Sequence, residues 1–395
     1  MLTPSPDRIP VDCAVAGPCG GCSLRHLDYA AELRAKQENV ADAFARIGGL
    51  DVPVLPIVGS PEVNRYRNKV QFPVGVDKSG KPCIGFYAGR THRIVPCPDC
   101  RLQPGVLNEI GNALCAFFAE KGIQPYSEET GRGLVRHIFL RRGAHSGQIM
   151  VCLVCTRAKL PSAEELCTRL KAQFAEITTI LLNVNAKNTN VILGTETHTL
   201  YGPGYIEDTL CGVPVQLGPL SFYQVNTLAA EQLYGIAAQY AQLTPDDLLL
   251  DLYCGMGTIG LSMAAHCREL IGVEIVPEAI ESAKANAARM GADVAAKSRF
   301  FCADAGQAAT RLAAEGLHPD IVMLDPPRKG CDEATLSAVV RMSPRRVVYV
   351  SCNPATAARD AAWLEQNGYH AEKVQPVDLF PRTRHCECVL SLSKV

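Results

Sequence analysis

The sequence has almost no net charge. Its 39 Lys and Arg against 40 Asp and Glu leave −1 over 395 residues, so no overall field draws it to nucleic acid, and any such binding must come from local patches. Long apolar runs are missing too. No stretch approaches the ~20 residues that cross a bilayer. The opening MLTPSPDRIPVDC has no basic segment followed by an apolar one, so the chain is expected in the cytoplasm. Internal repeats and low-complexity tracts are absent. With 47% hydrophobic and 20% charged residues, the composition is that of a folded protein, and its length suits two or three domains better than one core.

Cysteine is what the chain has in excess: there are 18. In a long cytosolic chain such cysteines are more often buried thiols, metal ligands or catalytic groups than a disulfide scaffold, and most are expected in the core. Cys152 and Cys155 lie in the strand-like IMVCLVC, which points them to opposite faces.

Four segments follow from the pattern. Residues 1–25 are rich in cysteine and glycine. In 26–55, LDYAAELRAKQENVADAFARIGGL places Leu27, Ala31, Ala35, Val40, Phe44 and Ile47 near helical spacing with Gly48-Gly49 as a stop, which predicts one helix, packed on the catalytic domain. Residues 56–200 alternate short strand-like segments (RYRNKVQFPV, CIGFYAG, HIFLRR, IMVCLVC) with glycine turns and helical stretches near 104–121 and 162–175, which predicts an α+β domain. From 201 to 395 the apolar runs LLLDLYC, ELIGVEIV, RFFCADA, DIVMLDPP and RRVVYVSCN alternate with helical patterns, as in a parallel sheet covered on both faces. EKVQPVDLF and CECVLSLSK add two strands with no helix between them. The expectation is an α/β fold with a C-terminal Rossmann-like domain on a seven-stranded mixed sheet, the architecture of S-adenosylmethionine-dependent methyltransferases.

Asp251 closes the strand LLLDL and leads into Tyr253-Cys254-Gly255-Met256-Gly257-Thr258-Ile259-Gly260. Glycines at 255, 257 and 260 let backbone approach a ligand at a strand-to-helix turn, and Glu274 ends the next strand, where it can meet ribose hydroxyls. The same spacing fits a nicotinamide or flavin dinucleotide, or glycines that merely turn the chain.

Ligands of open α/β sheets lie at the carboxyl ends of the strands, so Tyr253, Glu274, Asp325 and Cys352 should face one cleft. Asp325-Pro326-Pro327-Arg328 fixes an extended loop without donors, holding Asp325 toward a planar, amide-like edge; a proline turn with a capping aspartate is the alternative. Ser351-Cys352-Asn353-Pro354 puts a thiol at a strand end, a candidate nucleophile for soft electrophilic carbon. Carbon 5 of uracil is too weak a nucleophile to take a methyl group unless a thiolate first adds at carbon 6, and the carbon 5 proton must then leave to a base. Glu387 is the candidate. Period-two alternation in RHCECVL puts Cys386 and Cys388 on one face and Glu387 on the other; otherwise Glu387 is an edge-strand residue paired with Arg382 or Arg384.

The stretches YRNKVQFPV, SFYQVN, DLYCGMGTIG, GVEI, DPPRKG, SCNP and VDLFPRTRHCECV, running in this order from residue 66 to 389, resemble the RNA uracil-5 methyltransferases of the bacterial, iron–sulfur-containing ribosomal RNA type. The resemblance implies Cys352 as nucleophile and Glu387 as base, with Gln224, Tyr253, Gly255, Gly257, Glu274 and Asp325 around S-adenosylmethionine or the target uridine. It also implies a [4Fe-4S] cluster on Cys13, Cys19, Cys22 and Cys100. Cys97 leaves a competitor open, a zinc site on Cys19, Cys22, Cys97 and Cys100. Some members carry a β-barrel RNA-binding domain before the cysteines. With Cys13 so near the start no room is expected for one, which leans the target toward 23S ribosomal RNA over transfer RNA. RNA contact then falls on the central domain, where Arg65, Arg67 and Lys69 alternate with Tyr66 and Asn68, and where Arg136, His137, Arg141 and Arg142 cluster.

Overall fold

The computed structural model describes residues 3–187 and 189–395. A short turn of helix, α1 (Ala16–Cys19), precedes α2 (Tyr29–Asp42), whose Ala30 N–H donates to the Asp28 carboxylate at 3.0 Å. The single helix expected here continues beyond Asp42 with a wider π turn over Ala43–Gly48. Gly49, at φ +63°, ends it. Val40, Ala43 and Phe44 sink into the same core as the catalytic strands, whereas Ile47 stays 57% exposed.

The central sheet runs in the order β3 (Ile94–Pro96), β2 (Pro82–Tyr87), β1 (Lys69–Val76), β4 (Val135–Arg142), β5 (Ile149–Cys155), β6 (Ile177–Val184), β7 (Glu196–Tyr201). Only β5 and β6 pair in parallel, and the crossover between them is the helix α4 (Ala163–Gln173). With α3 (Gly105–Glu120) it covers one face, whose core includes Phe72, Leu114, Phe118, Ile138 and Leu153. Cys152 and Cys155 are both buried, in different cores on opposite faces of β5. A hairpin of β8 (Ile206–Leu210) and β9 (Val213–Leu217) leads out of this domain.

The C-terminal sheet has the order β12 (Ser298–Cys302), β11 (Glu269–Glu274), β10 (Leu248–Leu252), β13 (Ile321–Leu324), β14 (Arg346–Ser351), β16 (Glu387–Lys394), β15 (Tyr369–Val377). The first five are parallel and nearly every residue of β10 and β13 is buried, as expected of strands covered on both faces. β16 lies antiparallel to both β14 and β15, giving the expected seven-stranded mixed sheet. Glu387 opens a strand inside the sheet, not at its edge.

The outer side of β15 is also occupied. Val54 and Val58 form parallel bridges with Val374 and Val377, and Gln375 Nε2 donates to the Pro56 carbonyl at 2.7 Å. The chain therefore lines the catalytic sheet before it enters the central domain. Among the described residues no helix is long and apolar enough to cross a membrane.

Candidate active site

The carboxyl end of β10 begins the site. Tyr253 adopts φ +67°, a left-handed conformation costly for a side chain with a Cβ, and its hydroxyl lies 3.3 Å from Thr335 Oγ1. This turn throws the backbone into the glycine loop. Gly255 has φ +55° and open space where a Cβ would stand, so a ligand can lie against its backbone. Its N–H donates to Glu274 Oε2 at 3.1 Å, while Glu274 Oε1 accepts from the N–H groups of Ile275 and Val276 at 2.8 and 2.9 Å. Glu274 is thus locked at the end of β11 by three backbone donors. Beneath the loop, Asp251 Oδ2 accepts the Gly260 N–H at 3.0 Å. Its Oδ1 is buried without a partner, and burial pushes the carboxyl up to about 8. The open backbone at Gly255, the fixed Glu274 and this orphaned oxygen fit an adenosyl ligand laid across the strand ends.

Asp325 directly follows β13, partly buried, and burial raises its carboxyl to about 7. The buried Tyr234 hydroxyl lies close to Asp325 and reaches the side chains of Gln224 and Thr258. Gln224 itself is placed by the central domain: Asn68 Nδ2 donates to its carbonyl at 2.8 Å and to Thr227 Oγ1 at 2.9 Å. Arg141 holds the preceding turn through the carbonyls of Gly218 and Ser221, both at 2.7 Å.

Cys352 is half-buried after β14. Ser351 Oγ binds both the N–H and the carbonyl of Asn353 at 3.0 Å, closing a tight turn around the thiol. Asn353 caps the helix Pro354–Gln366 through the Ala355 N–H and donates to the Arg328 carbonyl at 3.0 Å. That bond joins the cysteine turn to the Asp325-Pro-Pro-Arg328 loop and brings the Arg328 guanidinium to the Cys352 thiol. Burial raises the thiol's pKa and the charges of Glu387 and Asp325 raise it further, with Arg328 opposing them. Glu387 is 6% exposed. Burial, followed by the charge of Asp325, pushes it up to about 8, and Arg328 again opposes. Cys386 and Cys388 face the other core. Arg382 is engaged elsewhere, with Glu32 and the Leu27 carbonyl.

The structure therefore gathers Gln224, Asp325, Cys352 and Glu387 together, with Gly255 and Glu274 beside them. Sequence reasoning passed over three residues. Arg328 and Phe222 stood in quoted motifs without a role, and Phe222 is 74% exposed two residues from Gln224. Tyr234 gave no signal, because an aromatic residue on a buried helix face is usually core.

The N-terminal cysteines meet at a second place. Cys13, Cys19, Cys22, Cys97 and Cys100 line one cavity of about 260 Å³, together with Arg25, Arg67 and Lys69. The neighbouring Cys97 thiol and the N–H groups of Leu102 and Gln103 lower the pKa of Cys100 against burial, which raises it, and Gln103 Nε2 lies 3.7 Å from its sulfur. Arg25 reaches Cys22. Among the described residues no three His, Cys, Asp or Glu side chains close on a point that one metal ion would fill.

The basic cluster of the central domain needs correcting. Arg136, His137 and Arg141 are buried. Arg136 is bonded to the Asn185 and Lys187 carbonyls and to Glu128, and Arg141 to the loop described above. Arg65 is taken by Asp99 and the Cys100 and Gln103 carbonyls. These cations hold the protein's own backbone; Arg67, Lys69 and Arg142 keep partial exposure.

Residues 145–395 match the family model described as tRNA (Uracil-5-)-methyltransferase. A protein of Halalkalibacterium halodurans named as an uncharacterized RNA methyltransferase is 44% identical over 393 residues, spanning 99% of this chain and 85% of its own length. A Bacillus cereus protein of the same description is 42% identical over 396 residues, spanning 100% and 85%. The crystal structure of Pyrococcus abyssi tRNA (uracil-54, C5)-methyltransferase in complex with S-adenosyl-L-homocysteine superposes with a TM-score of 0.79 at 26% identity, over 99% of this chain and 88% of that one.

Proposed function

This chain belongs to the tRNA (uracil-5-)-methyltransferase family and is an S-adenosylmethionine-dependent RNA methyltransferase, and from that premise we propose that it methylates carbon 5 of a uridine in structured RNA through a covalent adduct on Cys352. The observation that carries the reading is the enclosure of Cys352, Glu387 and Asp325 with Arg328 at one end of the parallel sheet.

S-adenosylmethionine supplies an electrophilic methyl group. Cys352 Sγ, as thiolate, adds to carbon 6 of the uracil, and the electron pair of the carbon 5–carbon 6 double bond moves into an enolate. The enolate carbon 5 takes the methyl group, leaving S-adenosylhomocysteine. Glu387 then accepts the carbon 5 proton, and the freed pair re-forms the double bond as the Cys352 thiolate leaves. Asp325 and Gln224 face the ring edge, where a hydrogen-bonding pair selects uracil over cytosine. Arg328 stabilises the thiolate on departure. A uridine reached from both faces must be splayed out of its stack, and Phe222, exposed two residues from Gln224, is a candidate for stacking on it.

For the cysteine cavity the reading is a [4Fe-4S] cluster on Cys13, Cys19, Cys22 and Cys100, a structural tie that also presents basic side chains to RNA. Gln103 Nε2 lies 3.7 Å from the Cys100 sulfur in the same cavity, which supports Cys100 as a thiolate ligand. Arg67 and Lys69 at the cavity rim suit phosphate contact.

The target is 23S ribosomal RNA on the strength of the cysteine set. Transfer RNA is the second reading, favoured by the family description and by the Pyrococcus abyssi enzyme. The deciding experiment maps 5-methyluridine by mass spectrometry in both RNAs after incubation with protein and S-adenosylmethionine. A new 5-methyluridine that disappears with Cys352→Ala supports reaction, nucleophile and target together; methylation at another base position ends the proposal.

A further inference from the structure

The stretch 378–386 runs from the end of β15 to Glu387 without regular pairing of its own, and almost all its anchors come from the first 66 residues or from Asn226. Lys36 on α2 is 1% exposed, and its ammonium bonds Glu32 Oε1 at 2.8 Å, Asp378 Oδ1 at 2.7 Å and the Phe380 carbonyl at 3.2 Å. Glu32 in turn accepts the Arg382 N–H at 2.7 Å, and Tyr29 donates to Asp378 Oδ2 at 2.9 Å. The Leu379 carbonyl takes Asn226 Nδ2, the Pro381 carbonyl takes the Tyr66 hydroxyl, and the Arg382 carbonyl takes the Leu24 N–H, each at 3.0 Å. The Arg384 N–H donates to Ser23 Oγ at 3.1 Å, next to Cys22.

A buried ion triad is a poor way to gain stability, since apolar residues of equal volume serve as well or better. What it supplies is one geometry. Here that geometry is imposed on the loop from which Glu387 enters the cleft and whose His385 approaches Arg328. We propose that Lys36, with Glu32 and Asp378, forms a positioning network for Glu387, so that the N-terminal helix and the cysteine segment set where the proton acceptor stands without touching either substrate. The inference rests on the assignment of Glu387 as base.

Replacing Lys36 itself strands two carboxylates in the core and can unfold the chain, so the test uses Glu32→Gln and Tyr29→Phe, with Glu387→Gln alongside. Melting temperature and calorimetric S-adenosylmethionine affinity establish that each variant folds; steady-state turnover and the covalent protein–RNA adduct on denaturing gels read the chemistry. Expected is a fall in kcat of at least about tenfold, cofactor affinity within about twofold of wild type, and a methylated adduct that accumulates as in Glu387→Gln. Unchanged kcat in a folded variant, or kcat and cofactor affinity falling together with no adduct, overturns the proposal. If Glu387→Gln itself turns over normally without adduct, the base assignment fails first; an adduct there and none in the network variants sinks the positioning role alone.

Discussion

Glu387 ionises against Asp325: burial first and that neighbour's charge second push the Glu387 carboxyl up to about 8, whereas Asp325 is raised by burial alone, to about 7. Enclosed together, both carboxyls resist ionisation, and Glu387 once ionised is a stronger base than an ordinary carboxylate. Release of the methylated RNA from Cys352 should therefore speed up with pH up to about 8. Glu387→Gln should remove this limb, slow proton removal by about 10²–10⁴-fold and leave the RNA covalently attached. A rate independent of pH between about 6 and 9 would refute the assignment.

The same carboxyl has a signature in stability. Its folded value of about 8 lies above the ordinary 4.5. Between the two the folded state binds more protons than the unfolded one, and stability is lost as pH rises through that window. Glu387→Gln carries no such penalty. The melting temperature of the variant minus that of wild type should therefore grow from about pH 5 to about pH 8.5. A constant difference would mean that Glu387 is not enclosed in solution.

Arg328 opposes the acids around Cys352. Arg328→Ala should lift the thiol further and slow its alkylation by iodoacetamide at pH 7 by up to about tenfold, because the reactive thiolate fraction falls as the thiol holds its proton more tightly. Methylation should fall with it and recover in part at higher pH, whereas an unchanged alkylation rate would separate Arg328 from the nucleophile.

Gly260 has no room for a methyl group: a Cβ would stand 2.7 Å from Asp251 Oδ2 and 2.8 Å from Leu270 Cδ1. Gly260→Ala should cost about 1–3 kcal/mol in denaturant unfolding and displace the cofactor loop. Gly255→Ala meets only open space but an unfavourable φ of +55°, so it should weaken S-adenosylmethionine binding more than it weakens the fold.

Anaerobically purified protein should be brown and carry ~4 irons per chain, with Cys100→Ser losing iron and Cys97→Ser keeping it. Colourless protein with one zinc per chain would replace the cluster by the tetrahedral site.

The strand ends were legible in the sequence because parallel strands buried on both faces must be short apolar runs, and ligand-facing residues follow directly where such runs stop. Glycines with positive φ and the alternation around Glu387 were legible for the same local reason. The basic residues were not. Arg67 and Arg141 read alike along the chain, but Arg141 lies buried under the carbonyls of Gly218 and Ser221, 77 and 80 residues away. Lys36 drew no reading: its i−4 partner Glu32 is an ordinary helix pairing, and the acid that completes the buried triad, Asp378, comes 342 residues later. Local pattern reports which face a residue takes; it carries no information about a partner supplied by a distant segment.

The segment that lines β15 has a consequence for how the molecule is made. Pro56 and Gln375, joined in the finished protein, are 319 residues apart. At ~5–20 residues per second on the ribosome, the strip from Val54 to Val58 waits on the order of 15–60 s for the strand it will cover. During that interval α2 carries its buried lysine and glutamate in water with no acid to complete the set. This early segment is among the last to be fixed, and until then its apolar strip is open to pairing with another molecule.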